Sequence, residues 1–141
     1  MWKLIFTPPV ICTSTHELLP ETVAEVLTRT VLNAVEAMPD GGKLSIKIQD
    51  LQEKGEVWIR IRDNGTGMTE EVQRHLFEPF FTTKSQNGHG LGLSVSRSII
   101  ERHDGSIEVE SRPGGGSCFT IKLPRKPAAQ LPAPHKITTP V

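Results

Sequence analysis

Cysteine is scarce in this chain. Cys12 and Cys118 are the only two in 141 residues, too few for a disulfide framework and without the paired spacing of a metal site. A reducing, cytoplasmic setting is the expectation. Net charge is absent as well: 16 Lys and Arg balance 16 Asp and Glu, with both signs mixed along the chain. That balance argues against a nucleic-acid binder, which would show a basic face. No apolar run approaches the length of a bilayer span. The opening Met1-Trp2-Lys3-Leu4-Ile5-Phe6 is too short for the apolar region of a signal peptide and lacks a cleavage site. Aromatic residues make up only 5%, yet the 36% of hydrophobic residues, at this length, suffices for one domain with a single core.

Glycine and proline divide the chain. All 12 glycines lie between Gly41 and Gly116, and five of the 11 prolines fall from Pro124 onward. Residues 125–141 have no periodicity and little apolar content, so they read as a disordered, Pro-rich tail. Residues 1–19 contain two short β-prone patches around Pro8-Pro9 and predict at most one edge strand. In the remaining domain, 20–124, Val23, Val26, Leu27, Val31, Ala34 and Met38 recur at helical spacing from about Glu21 to Met38, and Pro39-Asp40-Gly41-Gly42 stops that helix. Leu44, Ile46 and Ile48 alternate, as do Val57, Ile59 and Ile61, with Gln52-Glu53-Lys54-Gly55 as the turn of a hairpin. Thr69 is a helix N-cap followed by Glu70 and Glu71, for a short helix ending near Leu76. A longer helix is predicted from about Leu91 to Arg102, stopped by Asp104-Gly105. Ile107 and Val109, then Phe119, Ile121 and Leu123, form a closing hairpin around Pro113 to Gly116. The order helix, two strands, two helices, two strands predicts an α/β (α+β) fold of two layers, a mainly antiparallel sheet with helices on one face.

Four segments carry chemistry. Asp63-Asn64-Gly65-Thr66-Gly67-Met68 ends a predicted strand. A carboxylate there, followed by glycines two apart, lets a flat ligand approach the backbone, and Asp63 can accept from an exocyclic amine such as that of adenine. The alternative is an Asp-Gly turn that only reverses the chain. Gly88-His89-Gly90-Leu91-Gly92-Leu93 precedes a predicted helix, where outward N–H groups suit phosphate. It fits neither the dinucleotide fingerprint nor the Gly-Lys-Ser/Thr loop, and a ligand-free hinge is the alternative. Leu76 to Lys84 holds Phe77, Phe80 and Phe81 together with Thr82, Thr83 and Lys84. Such a loop either anchors a movable lid with its polar groups toward phosphate or is an ordinary hydrophobic cluster. Asn33, on the first long helix, offers a hard amide oxygen suited to Mg²⁺, and otherwise is a polar-face residue.

Taken in order, these segments resemble the ATP-binding catalytic domain of two-component sensor histidine kinases, in the superfamily shared with DNA gyrase, Hsp90 and MutL. Leu32 to Met38 is similar to the N box, Asp63 to Met68 to the G1 box, Glu78 to Lys84 to the F box, and Gly88 to Leu93 to the G2 box. The likeness covers about residues 20–124 and implies the Bergerat fold, an α/β sandwich with ATP between helices and a lid. It implies Mg²⁺ on Asn33, the adenine amine on Asp63, Gly65 and Gly67 against the adenine, and Met68 and Phe81 among the nucleotide-binding residues. Thr83, Lys84 and the backbone of His89, Gly90, Leu91 and Gly92 would hold phosphates, with Asn33 and Lys84 as the catalytic pair. The γ-phosphoryl would pass to a histidine on a separate dimerisation and phosphoacceptor domain, and from there to a response regulator. No nucleic acid and no direct membrane contact are expected of the domain, which is read as a monomer when isolated, although the parent kinase can be membrane-anchored.

Three departures matter. The family usually has a second Asn four residues before Asn33, and its ATPase relatives a Glu; this chain has Arg29, which neither accepts a proton nor ligates a metal. If Arg29 faces the site it touches a phosphate; the alternative is a side chain turned to solvent. His16-Glu17-Leu18-Leu19-Pro20 superficially resembles the family's phosphoacceptor box, but fewer than 20 residues separate it from Asn33, leaving no room for two long helices. The expectation is a catalytic fragment of a larger kinase, or a kinase gene truncated at its front. The G2 box has His89 where Thr is also common, with little consequence because its backbone would do the work. Beside the histidine-kinase reading stand two others, a degenerate regulatory module that keeps the fold without turnover, and an anti-sigma-type serine kinase.

Overall fold

The computed structural model describes residues 3–7, 21–81 and 92–125. Five strands form one sheet in the order β1-β2-β3-β5-β4, where β1 is Lys3–Thr7, β2 Lys43–Leu51, β3 Glu56–Asp63, β4 Ser106–Arg112 and β5 Gly116–Pro124. β1 runs parallel to β2 and every other pair is antiparallel. Among the described residues three α-helices, α1 (Glu21–Glu36), α2 (Glu70–His75) and α3 (Gly92–Arg102), accompany the sheet. It is a mixed α/β sandwich, with the helices on one face of the sheet.

The alternation read in the strands decides which face is covered. Directly paired residues share a face, so Ile46, Ile61 and Phe119 meet in one row and Ile48, Ile59, Ile121 and Ile107 in another. Against them α1 lays Val23, Val26, Ala34 and Met38, and α3 lays Ile99 and Ile100. Two polar residues are fully buried in this layer, each bonded to its own helix: Thr30 Oγ1 donates to the Val26 carbonyl at 2.8 Å, and Ser96 Oγ to the Gly92 carbonyl at 2.8 Å.

The open face gathers charge that the sequence distributes. Lys47 lies opposite Arg60, Ser45 opposite Arg62, and Trp58 opposite both Gln49 and Lys122. Cations of Lys54, Arg60 and Lys122 cover the Trp58 ring at 5.1, 5.2 and 4.6 Å.

Element ends follow local chemistry. α1 stops two residues before the predicted limit, where the Met38 N–H bonds to the Val35 carbonyl at 3.1 Å and Gly41 takes a φ of 88°. Thr69 caps α2 as expected, accepting from the Val72 N–H at 3.3 Å. At the end of α3 it is Asp104, with φ 58°, that adopts the left-handed conformation. Gly105 is needed for a different reason: a Cβ there would lie 2.4 Å from the Lys122 carbonyl oxygen. The strands run longer than their alternating cores, β2 through Leu51 and β3 through Asp63, because their pairing continues beyond Ile48 and Ile61, to Leu51 opposite Glu56 and Asp63 opposite Leu44. Among the described residues no helix is long and apolar enough to cross a membrane. The expected tail at 125–141 lies outside the described residues apart from Arg125.

Candidate functional site

β3 sits inside the sheet between β2 and β5, and its last residue is Asp63. The period of two that turns Val57, Ile59 and Ile61 inward also turns Asp63 inward, and the residue is only 3% exposed. A buried carboxylate needs a donor. Oδ1 receives one from the Gly65 N–H at 2.8 Å, while the second oxygen has no hydrogen-bond partner among the described residues.

The loop after Asp63 is clamped on three sides. Asn64 Oδ1 accepts from the Lys43 N–H at 2.7 Å, tying the loop to β2. The Thr66 N–H donates to the Ala37 carbonyl at the end of α1 at 3.1 Å, and the Gly114 N–H donates to the Thr66 carbonyl at 2.7 Å. The glycines are required by contact. A Cβ on Gly65 would fall 2.4 Å from the Ala37 carbonyl oxygen, and one on Gly67, whose φ is 67°, would fall 1.8 Å from the Arg112 carbonyl oxygen. A Cβ on Gly116, whose φ is 78°, would fall 2.2 Å from the Asp63 carbonyl oxygen.

Met68 is fixed by Ser111 of β4, whose hydroxyl receives the Met68 N–H at 2.8 Å and donates to the Gly116 carbonyl at 2.9 Å. Ser117 Oγ lies 2.9 Å from the same hydroxyl. Gln73 of α2 bridges the two segments, its amide nitrogen donating to the carbonyls of Met68 at 3.1 Å and Ser111 at 3.0 Å. Neither Ser111 nor Gln73 was a candidate on the sequence. A serine in a strand and a glutamine on a short helix carry no local signal of such a role.

α1 borders the site lengthwise. Arg29, Asn33 and Ala37 follow at four-residue steps and are all partly exposed. Ala37 touches the Asp63–Met68 loop, as described. At the other end, Arg29 Nη1 lies 3.9 Å from where a Cβ on Gly92 would be, so α1 reaches from the glycine loop to the first residue of α3. Asn33 lies between the two. Eight residues of helix span about 12 Å, a length that suits an elongated ligand. Arg29 is not simply turned to solvent: its side chain is 38% exposed and ion-paired to Glu25 at 2.7 Å.

Of the Phe-rich loop, Phe77 packs on the core beneath the Arg97 guanidinium, 5.6 Å from its ring. Phe81 leans on His75 with ring centroids 5.8 Å apart, and His75 Nδ1 is 2.9 Å from Glu78 Oε1. Phe80 is 78% exposed with a φ of 67°, a backbone position disfavoured for a bulky residue. Thr83, Lys84, His89, Gly90 and Leu91, with the lid expected of this segment, lie outside the described residues. The structure thus brings together Asp63, Gly65, Gly67 and Met68 with α1 on one side, and Gly92 with Arg29 on the other.

A buried carboxylate at the end of an internal strand, a glycine loop locked to the end of one helix, and the start of a second helix beside the same stripe suit an elongated ligand such as a nucleotide. Comparison with known proteins agrees. Residues 19–127 match the family described as histidine kinase-, DNA gyrase B- and HSP90-like ATPases, and the chain belongs to that family. It is 43% identical to Sporulation kinase E of Bacillus subtilis (strain 168) over 123 residues, 87% of this chain and 16% of that protein. It is 38% identical to the sensor histidine kinase ZraS of Klebsiella oxytoca over 86% of this chain and 26% of that protein. The chain therefore spans a sixth to a quarter of these relatives. The catalytic domain of the histidine kinase ThkA superposes with a TM-score of 0.71 at 33% identity, covering 87% of this chain and 78% of that one. ATP binding follows from the family.

Proposed function

We propose that this chain binds ATP with Mg²⁺ and donates the γ-phosphoryl to a histidine on a separate dimerisation and phosphoacceptor domain, from which it would pass to a response regulator. The observation that carries this reading is the stripe of α1 that joins the Asp63–Met68 loop to Gly92, because it offers an adenine end and a phosphate end along one helix. Asp63 accepts from the adenine amine through the oxygen that Gly65 does not use. The backbone at Gly65 and Gly67 lies against the ring, with Met68 and Phe81 beside it. Thr83, Lys84 and the backbone N–H groups of His89, Gly90, Leu91 and Gly92 hold the phosphates.

Asn33 supplies one hard oxygen to Mg²⁺. Among the described residues no group of three His, Cys, Asp or Glu forms a metal cage, and this ion needs none, since it keeps waters and takes substrate phosphates as ligands. When bound, the metal neutralises phosphate charge. This chain's own residues bind the base, hold the triphosphate and present the γ-phosphoryl in line to the incoming imidazole, so catalysis is positioning and charge neutralisation. The acting unit is residues 20–124, monomeric when isolated and in contact with neither nucleic acid nor lipid. Its setting is cytoplasmic, including in a membrane-anchored parent.

The test mixes the purified chain with a two-helix phosphoacceptor domain and γ-labelled ATP. Acid-labile label on that domain's histidine is expected. Acid-stable label on serine would transfer the reading to an anti-sigma-type kinase, and ATP binding with no label on any acceptor would leave a regulatory module.

A further inference from the structure

Arg29 has a divided guanidinium. Nε and Nη2 both donate to Glu25 Oε1, at 3.1 and 2.7 Å, which fixes the plane of the group. Nη1 is directed elsewhere, and lies 3.9 Å from the position of a Cβ on Gly92. Gly92 opens α3, an 11-residue helix with no acidic residue in its first turn. The first N–H groups of a helix carry partial positive charge. A cation held beside that end is repelled unless an anion lies between them. The side chain of Arg29 is 38% exposed, so it is open to a ligand. The same stripe of α1 carries Asn33 one turn on and Ala37 two turns on, the latter against the loop that takes the base.

We infer that Arg29 is a phosphate-binding residue of the nucleotide site, its Nη1 donating to a phosphate oxygen of ATP held between α1 and the first turn of α3. Part of the triphosphate's charge is then neutralised by this chain, and its binding depends less on the divalent cation. Glu25 is the positioning residue, occupying the two donors that would otherwise let the guanidinium rotate away. The inference rests on the nucleotide reading above and adds to it the residue that meets the phosphates from α1.

Calorimetric titration of the full chain with ATP and with adenosine, each in MgCl₂ and in EDTA, tests it on the wild type, Arg29→Ala, Arg29→Lys and Arg74→Ala. Arg74 is a control for net charge, since it forms the same type of ion pair with Glu70 on α2. Arg29→Ala should weaken ATP about ten- to hundredfold in EDTA, the value of a charge-assisted hydrogen bond, and less in Mg²⁺. Adenosine should be unaffected, Arg29→Lys should recover part of the loss, and Arg74→Ala should change nothing. If the wild type binds ATP and Arg29→Ala binds it within twofold in EDTA, or loses adenosine equally, the role of Arg29 is overturned. A folded wild type that binds neither ligand refutes the nucleotide site itself, which is a different failure.

Discussion

Asp63→Asn exchanges one oxygen for an NH₂ group, and the backbone decides which one. The Gly65 N–H donates to Oδ1 at 2.8 Å and the residue is 3% exposed, so the amide of the variant keeps its oxygen on Gly65 and turns its nitrogen to where the second carboxylate oxygen was. The loop loses only the charge assistance of one hydrogen bond, about 1 kcal/mol, which lowers the melting temperature by about 3 °C in a domain of this size. The nucleotide loses more. An adenine amine would face a second donor, forfeiting a charge-assisted bond of about 1.5–3 kcal/mol and leaving a buried donor unpaired at about 1–3 kcal/mol more. ATP affinity should then fall by about a hundredfold or more. Inosine triphosphate, with a carbonyl at the same ring position, accepts from the new NH₂, so the preference between the two nucleotides should narrow or invert. Calorimetry with both nucleotides on wild type and variant, with thermal melts alongside, measures each quantity. A variant that melts normally, binds ATP within about threefold of wild type and keeps its preference over inosine triphosphate would refute the assignment of Asp63 to the base.

Gly67→Ala should destabilise the fold by at least about 2 kcal/mol more than Gly114→Ala. Both have positive φ, but a Cβ on Gly114 meets open space while one on Gly67 lies 1.8 Å from the Arg112 carbonyl oxygen; urea denaturation of the two variants checks the difference. Ser111→Ala removes the hydroxyl shared by Met68, Gly116 and Ser117, and should cost about 1–3 kcal/mol on the same curves while weakening ATP through a loosened Met68. Asn33→Ala should remove most of the Mg²⁺ dependence of ATP binding and leave binding in EDTA near the wild-type value; equal loss with and without Mg²⁺ would argue against the metal role.

The fold was legible where neighbours along the chain decide it. The alternation of Val57, Ile59 and Ile61 fixed the inward face of β3, and Thr69 with two following acids marked the start of α2. The turn at Asp104-Gly105 was read correctly as a stop, though the residue with positive φ is Asp104 and the close approach belongs to Gly105. The loop at Asp63, Gly65 and Gly67 was legible as a close-packed turn, because a carboxylate and spaced glycines at a strand end restrict what the backbone there can do. Ser111 and Gln73 were not, since each acts on a segment 38 to 43 residues away. Arg29 stood out as a departure in type, yet its direction depended on where α3 begins.

The sequence by itself determined the helices, the inward faces of β2 to β5 and the family. Those properties come from periodicity, capping and side-chain chemistry, which operate within a few residues. Tertiary structure alone decided that β1 pairs parallel to β2, that the Ala37 carbonyl pins the glycine loop, and that Arg29 meets the start of α3. It also decided that Lys54, Arg60 and Lys122 collect around Trp58 in an evenly charged chain. Each of these joins segments distant in sequence, and such contacts are selected by how the helices cover the sheet rather than by any local pattern.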